Sequence, residues 1–260
     1  MTSNIPFTAQ ALKALREIEA ELGLSPAPEQ IMFPGLADVL DKVGPLPHNA
    51  LLLGVASDGM PLLLNLRDPT PGPILVTGDR DSGKTVFLKM LARAASSLLQ
   101  PEEIQVAVLT NSPAEWQDIE SPAHLLGMYP VHHPAALDLL YDLACRAEQG
   151  TTDRSILLLF DGLDSALYID PASQDNLRYL LQTGPQARIW PIASLNAAHA
   201  MKLPEWVSYF RTRIYGRIAQ ADIADELTPI PGAALNTLFP GTQFVMRRRA
   251  KWVKFWLPGL

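Results

Sequence analysis

The chain has 260 residues, of which 48% are hydrophobic and 18% are charged, and its formal net charge at pH 7 is −6. This length and hydrophobic content suffice for one α/β domain with additions, while the negative balance argues against an autonomous nucleic-acid binder, which carries a basic footprint. No apolar stretch approaches the roughly 20 residues of a membrane span, and the N-terminus lacks signal-peptide features. The single cysteine excludes an intrachain disulfide. We therefore expect a cytoplasmic protein without direct membrane insertion.

Residues 1–45 are predicted to form a helical accessory segment. Apolar residues recur at helical spacing over residues 9–22, and the proline-containing stretch 25–28 interrupts the pattern. A second, shorter helical pattern covers residues 36–43. We expect these helices to pack on the core or on a neighbouring protein rather than to carry chemistry.

A β-hairpin is predicted next. The apolar runs 50–56 and 60–66 flank a turn that contains Asp58 and Gly59, and Asp-Gly is a strong hairpin signal. Pro61 cannot donate a backbone hydrogen bond, so the second strand should lie at an edge of the sheet or place Pro61 where no donor is needed.

Residues 78–85 read GDRDSGKT and satisfy the phosphate-binding pattern G-x-x-x-x-G-K-[ST]. An apolar strand pattern precedes them at 74–76, and an amphipathic helical pattern follows at 86–95. Strand, loop and helix in this order direct backbone N–H groups and a helix N-terminus at bound phosphate. Lys84 would reach the β- and γ-phosphates, and the Thr85 hydroxyl would bind Mg²⁺; the alternative is a chance match in a glycine-containing turn. The predicted nucleotide-binding residues are Gly78, Asp79, Arg80, Asp81, Ser82, Gly83, Lys84, Thr85 and Val86.

Asp81 occupies a position of this loop where glycine is frequent. Asp tolerates the left-handed backbone conformation better than most residues. Asp79 and Asp81 also place two acids beside a triphosphate, and Lys84, Mg²⁺ and Arg80 would have to offset that repulsion.

The rest of the chain alternates between strand and helix patterns. Strands are predicted at 104–109, 155–161, 188–195 and 211–218, and helices at 113–119, 134–149 and 173–182. Such alternation predicts a mainly parallel sheet that is covered on both faces. The patterns 243–247 and 252–256 predict a terminal hairpin with a basic tip.

Asp161 ends the apolar run 155–160, which is typical of a central strand in a covered parallel sheet. Its carboxylate would therefore lie at the carboxyl edge, where ligands bind in doubly wound folds. There it can hold Mg²⁺ together with Thr85, as a second acid does in P-loop NTPases.

The order of these motifs resembles the FtsK/SpoIIIE branch of the HerA–FtsK ATPases. The resemblance covers the hairpin with its Asp58-Gly59 turn, the loop with its flanking strand and helix, and the closing stretches 238–244 and 252–258, which are similar to the ATPase domains of type VII secretion motors. It implies a RecA-like P-loop NTPase for residues 46–260, a three-layer α/β sandwich with a mainly parallel sheet, added β-hairpins and an N-terminal helical segment. Members of the family are typically hexameric ring motors that use ATP to move DNA or to drive protein export. The expected ligands are ATP and Mg²⁺, and the expected partners are further copies of the chain or a larger assembly, with DNA or a polypeptide as substrate.

The family commonly has an acid directly after the residue that corresponds to Asp161. Here Gly162 follows, and the next acid is Asp164. Asp164 is a candidate base for the attacking water, because a helical turn brings residues i and i+3 to one side. The alternative is a helix cap without a catalytic role.

Asn196 ends the predicted strand 188–195, where the family places a polar sensor of the γ-phosphate. An amide can donate and accept hydrogen bonds, which suits phosphate and water, and the alternative is again a helix cap. Ring motors also use an arginine from the adjacent subunit. Arg211, Arg213 and Arg217 are candidates for that role, and the alternative for each is an ordinary surface position.

The basic cluster formed by Arg247, Arg248, Arg249, Lys251 and Lys254 is either a solvated hairpin tip or a phosphate contact. The predicted catalytic residues are Lys84, Asp161, Asp164 and Asn196, and the predicted metal ligands are Thr85 and Asp161. Three functions follow: an ATPase that drives translocation, a nucleotide-binding module with little or no hydrolysis, and a small-molecule kinase or unrelated P-loop enzyme. A kinase is disfavoured because the sequence shows no arginine-rich lid.

Overall fold

The computed structural model describes residues 34–117, 122–150 and 154–259, so the helix predicted at 9–22 lies outside the described residues. The strands are β1 (Ala50–Ala56), β2 (Pro61–Asn65), β3 (Ile74–Gly78), β4 (Ile104–Thr110), β5 (Leu125–Tyr129), β6 (Ser155–Asp161), β7 (Ile189–Asn196), β8 (Thr212–Tyr215), β9 (Gln243–Arg248) and β10 (Lys251–Trp256). The α-helices are α1 (Leu36–Val43), α2 (Lys84–Leu98), α3 (Pro134–Gln149), α4 (Pro171–Thr183), α5 (Ala197–Ala200), α6 (Pro204–Ser208) and α7 (Ala221–Leu227). Among the described helices, none is long and apolar enough to cross a membrane.

All ten strands belong to one sheet in the order β2-β1-β10-β9-β8-β3-β7-β6-β4-β5. The half from β8 to β5 is parallel. The half from β2 to β9 is antiparallel and joins β8 through an antiparallel pairing. The predicted hairpins are therefore both present, as the antiparallel extension of a parallel core.

Helices cover both faces of this sheet, which gives the predicted three-layer α/β sandwich. Helix α2 packs on one face through Phe87, whose ring lies 5.3 Å from that of Phe244 and 6.3 Å from that of Phe255. Helices α3 and α4 cover the other face. A side chain as buried as Phe87 contributes about 1.5–3 kcal/mol to stability. This packing fixes the start of α2, and with it the loop that precedes the helix.

The sequence predicted one edge strand of the sheet and missed the other. Pro61 begins the edge strand β2, as its missing N–H required. The opposite edge strand, β5, was not predicted. The segment predicted as a helix at 113–119 is a 3₁₀ turn at Pro113–Trp116, and the described residues end at 117 there.

Helix α1, which the sequence assigned to the accessory segment, is joined to the end of the described chain. The N–H of Leu36 donates to the carbonyl of Gly259 at 3.2 Å, and Val39 is buried. Residues from 34 onward form one compact unit. The proposed boundary at residue 45 remains a prediction.

Candidate nucleotide site

The loop 78–85 follows β3 and turns directly into α2 at the carboxyl edge of the sheet. Asp81 has a φ of 62°, so it adopts the left-handed conformation that Asp tolerates. Gly83 has a φ of 93° and begins α2. Because α2 is long and its first turn faces the loop, its free backbone N–H groups point to the place where phosphate would bind.

Gly83 also allows a close approach between the loop and the segment before β9. A Cβ atom on Gly83 would lie 2.6–2.8 Å from backbone atoms of Gly241. The N–H of Gly241 donates to the carbonyl of Ser82 at 3.1 Å. The chain that leads into β9 therefore supports the phosphate loop from behind.

The Lys84 side chain folds back along its own loop. Its Nζ donates to the carbonyl of Gly78 at 3.1 Å and to that of Asp79. Burial lowers the pKa of Lys84, and the nearby carboxylates, with Asp161 the largest contributor, partly oppose the shift. A desolvated ammonium group held by two carbonyls is available to a stronger anionic partner.

The Asp161 carboxylate lies against Thr85, the other residue that the sequence predicts as a metal ligand. The Thr85 hydroxyl is 3.1 Å from Oδ1 and 3.0 Å from Oδ2 of Asp161. Ser194 donates to Oδ1 at 2.7 Å, and the indole N–H of Trp116 donates to Oδ2 at 3.2 Å. A hydroxyl and a carboxylate are oxygen ligands of the kind that Mg²⁺ prefers, and Thr85 and Asp161 therefore fit the predicted metal.

Asp79 is held away from the phosphate side of the loop. Its Oδ2 accepts from the N–H of Ala219 at 2.7 Å, and its own N–H donates to the carbonyl of Arg217 at 2.9 Å. Its negative charge is thus partly neutralised by a backbone donor. Asp79 therefore repels a bound phosphate less than a free carboxylate would, while Asp81 is exposed like Arg80.

Asp164 contacts a histidine instead of capping a helix. The residue lies in the 3₁₀ turn Leu163–Tyr168, which starts at Gly162 without a side-chain cap. Its Oδ2 lies 3.0 Å from Nδ1 of His199. The capping alternative is therefore wrong in this structure, and the proposed role as a base stays a prediction.

Asn196 caps a helix in this structure. Its Oδ1 accepts from the N–H of Ala198 at 3.0 Å at the start of α5. In the parallel pairing of β3 and β7, Asn196 stands opposite Gly78. The amide therefore lies next to the phosphate loop, and Nδ2, which this cap does not use, is the group that could serve as a sensor.

The three candidate arginines lie in two different places. Arg217 is beside the phosphate loop of its own chain, since its carbonyl accepts from Asp79. Arg211 and Arg213 lie at the amino-terminal end of β8 and line a surface cavity. Because β8 is parallel to β3, that end is opposite to the edge that carries the loop. Arg211 and Arg213 therefore cannot reach a nucleotide bound in the same chain.

Sequence reasoning did not identify three residues of this site: Trp116, Ser194 and His199. Trp116 was assigned to a helix and Ser194 to a strand, without a role. Ser194 had one available signal, because it precedes Asn196 by two residues and alternation puts both on one face of the strand. Trp116 and His199 reach the site only through tertiary contacts.

No protein-family model matches the chain, and no curated protein matches it either. Solved structures do match. ATPases 2 and 3 of Thermomonospora curvata EccC, in complex with a signal sequence peptide, align with a TM-score of 0.68 and 15% identity over 88% of this chain and 43% of that one. ATPases 2 and 3 of Geobacillus thermodenitrificans EssC align with a TM-score of 0.70 and 12% identity over 89% and 47%. The pCW3 conjugation coupling protein TcpA with ATPγS aligns with a TM-score of 0.67 and 14% identity over 87% of this chain and 69% of that one.

These likenesses establish the fold. The chain has the fold of the FtsK/SpoIIIE-like ATPase domains in secretion and conjugation proteins, as the sequence resemblance implied. It spans less than half the length of the two secretion ATPase chains that it matches.

Proposed function

We propose that the chain binds Mg²⁺-ATP at residues 78–86 and hydrolyses it, and that it couples hydrolysis to movement of DNA or a polypeptide. One observation carries the proposal. The Thr85 hydroxyl contacts both carboxylate oxygens of Asp161 at the edge where the loop and α2 meet. This pairing joins the loop that would hold the phosphates to the acid that would hold the metal.

Each residue of the site then has a defined task. The backbone of the loop and Lys84 bind the phosphates, and Thr85 with Asp161 holds Mg²⁺, which supplies charge neutralisation on the phosphate oxygens when bound. Ser194 and Trp116 orient the Asp161 carboxylate by hydrogen bonds, as outer partners of a metal ligand do. Asp164 accepts the proton of the attacking water through Oδ1, while Oδ2 stays on His199.

A nucleotide-binding module with little or no hydrolysis is the second candidate. It is favoured by Gly162, which stands where the family commonly has an acid. It is also favoured by Asn196, whose oxygen is engaged in a helix cap rather than turned to the phosphate loop. Such a module would act structurally or as a regulator in a larger assembly.

ATP turnover separates the two candidates. We expect the pure protein to release phosphate from ATP in a Mg²⁺-dependent way, with a higher rate in the presence of double-stranded DNA or of the partner subunits. Its solution mass should exceed that of one chain, since the proposal includes a homo-oligomer or a place in a larger assembly. Retained ATP binding with no turnover under any of these conditions would leave only the non-catalytic module.

A further inference from the structure

A concave surface lies on the face of the sheet opposite α2. It is a surface cavity of about 320 Å³ between β8, β9, β10 and the segment that follows α7. Its lining consists mainly of arginines and of apolar or aromatic residues. The lining residues that could contact a ligand through charge or apolar surface include Arg211, Arg213, Arg247, Trp252, Leu227 and Ile230.

Two of the arginines stand opposite one another on adjacent strands. In the antiparallel pairing of β8 and β9, Ile214 is opposite Met246 and Tyr215 is opposite Val245. One step further along this register, Arg213 is opposite Arg247. Like charges at directly opposed positions of two strands destabilise the pair. Arg211 adds a third positive charge, because residues 211, 213 and 215 share one face of the strand.

The described residues that line the cavity include no Asp or Glu. The Arg213 side chain donates from Nη2 to the neutral carbonyl of Val207 at 3.2 Å, and it also interacts with the uncharged phenol of Tyr215. Three guanidinium groups around a concave space therefore attract an anionic group, and each can hold a carboxylate by two hydrogen bonds.

The apolar wall of the cavity is fixed at both ends. The hydroxyl of Tyr215 donates to the carbonyl of Leu227 at 3.0 Å, and the indole N–H of Trp252 donates to the carbonyl of Pro231 at 3.0 Å. These two bonds hold residues 227–231 over the sheet. The cavity is thus preformed, which lowers the cost of binding a ligand.

We propose that this cavity binds a segment of a partner polypeptide in which an Asp or Glu lies next to apolar residues. The carboxylate would bind between Arg213 and Arg247, and the apolar neighbours would contact Leu227, Ile230 and Trp252. A polypeptide suits the cavity better than nucleic acid does. The helix that leads to the wall, α7, carries Asp222, Asp225 and Glu226, and these acids repel a polyanion more strongly than a single carboxylate, because the repulsion acts on every charge of the ligand. This site is separate from the nucleotide site and does not depend on hydrolysis.

Selection from a random peptide library tests the proposal. Phage-displayed 12-residue peptides are selected on the nucleotide-free protein, and the most enriched one is synthesised with a fluorescein label. We expect the selected peptides to be enriched in Asp or Glu beside Leu, Ile or aromatic residues. Fluorescence anisotropy should then show that Arg247→Gln weakens binding by about tenfold or more.

Arg248→Gln is the matched control, because it removes the same charge from the next residue of β9, which does not line the cavity. It should leave the affinity for the peptide nearly unchanged. Thermal unfolding of both variants verifies that they are folded. The proposal is overturned if the selected peptides lack acidic residues, or if Arg247→Gln and Arg248→Gln weaken binding equally. It is also overturned if a 20-base-pair DNA duplex binds in an Arg247-dependent way and the peptide does not.

Discussion

His199 holds the carboxylate of Asp164 across the edge of the sheet, with 3.0 Å between Nδ1 and Oδ2. Asp164 belongs to the turn after β6, whereas His199 belongs to the short helix α5 after β7. The pair therefore links the two strand ends that carry Asp161 and Asn196. Both side chains are partly exposed, at 37% for Asp164 and 49% for His199, so water can reach the carboxylate.

If Asp164 is the base for the attacking water, Asp164→Asn should depress ATP turnover by about 10²–10⁴-fold. ATP binding should stay nearly unchanged, since the interaction matters mainly in the transition state. Steady-state turnover and equilibrium ATP binding measure the two effects. Equal turnover rates for wild type and Asp164→Asn would refute the role of Asp164.

His199→Ala should reduce turnover less than Asp164→Asn does, by roughly 10- to 100-fold, because it misplaces the carboxylate without removing it. The double variant should be no slower than Asp164→Asn alone, since the two residues act as a unit. Independent, additive losses would show that His199 does not act through Asp164.

Lys84→Ala should weaken ATP binding by at least about tenfold while the protein remains folded. The ammonium group donates to two carbonyls of its own loop, and Lys84 is not among the described residues of the buried core. Titration with a fluorescent ATP analogue measures the affinity. Lys42→Ala, which removes an exposed lysine from α1, is the control and should bind ATP like wild type. Undiminished affinity in folded Lys84→Ala would contradict the assignment of the phosphate loop.

Asp161→Asn should raise the Mg²⁺ concentration needed for ATP binding, by about 10- to 100-fold. The metal loses a charged ligand, while the amide can still accept from Thr85 and Ser194. The measurement is ATP affinity as a function of Mg²⁺ concentration. An unchanged Mg²⁺ dependence would mean that Asp161 does not hold the metal.

Trp116→Phe should lower the free energy of unfolding by about 1–2 kcal/mol, because a charged carboxylate loses one of its donors. Trp190→Phe is a matched control. Trp190 is also fully buried, and its Nε1 has no hydrogen-bond partner among the described residues. Urea unfolding of both variants gives the comparison. A loss in Trp116→Phe no larger than that in Trp190→Phe would argue against a role for the indole N–H.

Gly83→Ala should destabilise the protein more than Gly241→Ala does. Both residues have a positive φ, of 93° and 83°, so both substitutions carry backbone strain. A Cβ atom added at Gly83 meets backbone atoms of Gly241. A Cβ atom added at Gly241 has no atom of the described residues within 4 Å. We expect an extra loss of about 1–3 kcal/mol for Gly83→Ala, measured by thermal unfolding. Equal losses would mean that the close approach of the two glycines is not maintained in solution.

The sequence predicted the parallel core of the fold well, because buried strands such as residues 155–160 read as unbroken apolar runs. It missed β5 because Leu125–Tyr129 is a short apolar run that Gly127 interrupts, and because all of its residues are partly buried, so that no alternation marks the strand. The loop 78–85 and Asp161 were recognisable because each belongs to a short contiguous sequence pattern, a phosphate-binding motif and an apolar run that ends in Asp. The contacts of Trp116 and His199 depend on how distant segments pack, which no local pattern records.

The position of β9 has a topological consequence. The strand starts two residues after Gly241, whose N–H donates to the phosphate loop at Ser82, and Arg247 follows roughly 14 Å along it. Strand β9 therefore joins the segment that contacts the phosphate loop to the wall of the arginine cavity, on opposite edges of the same sheet.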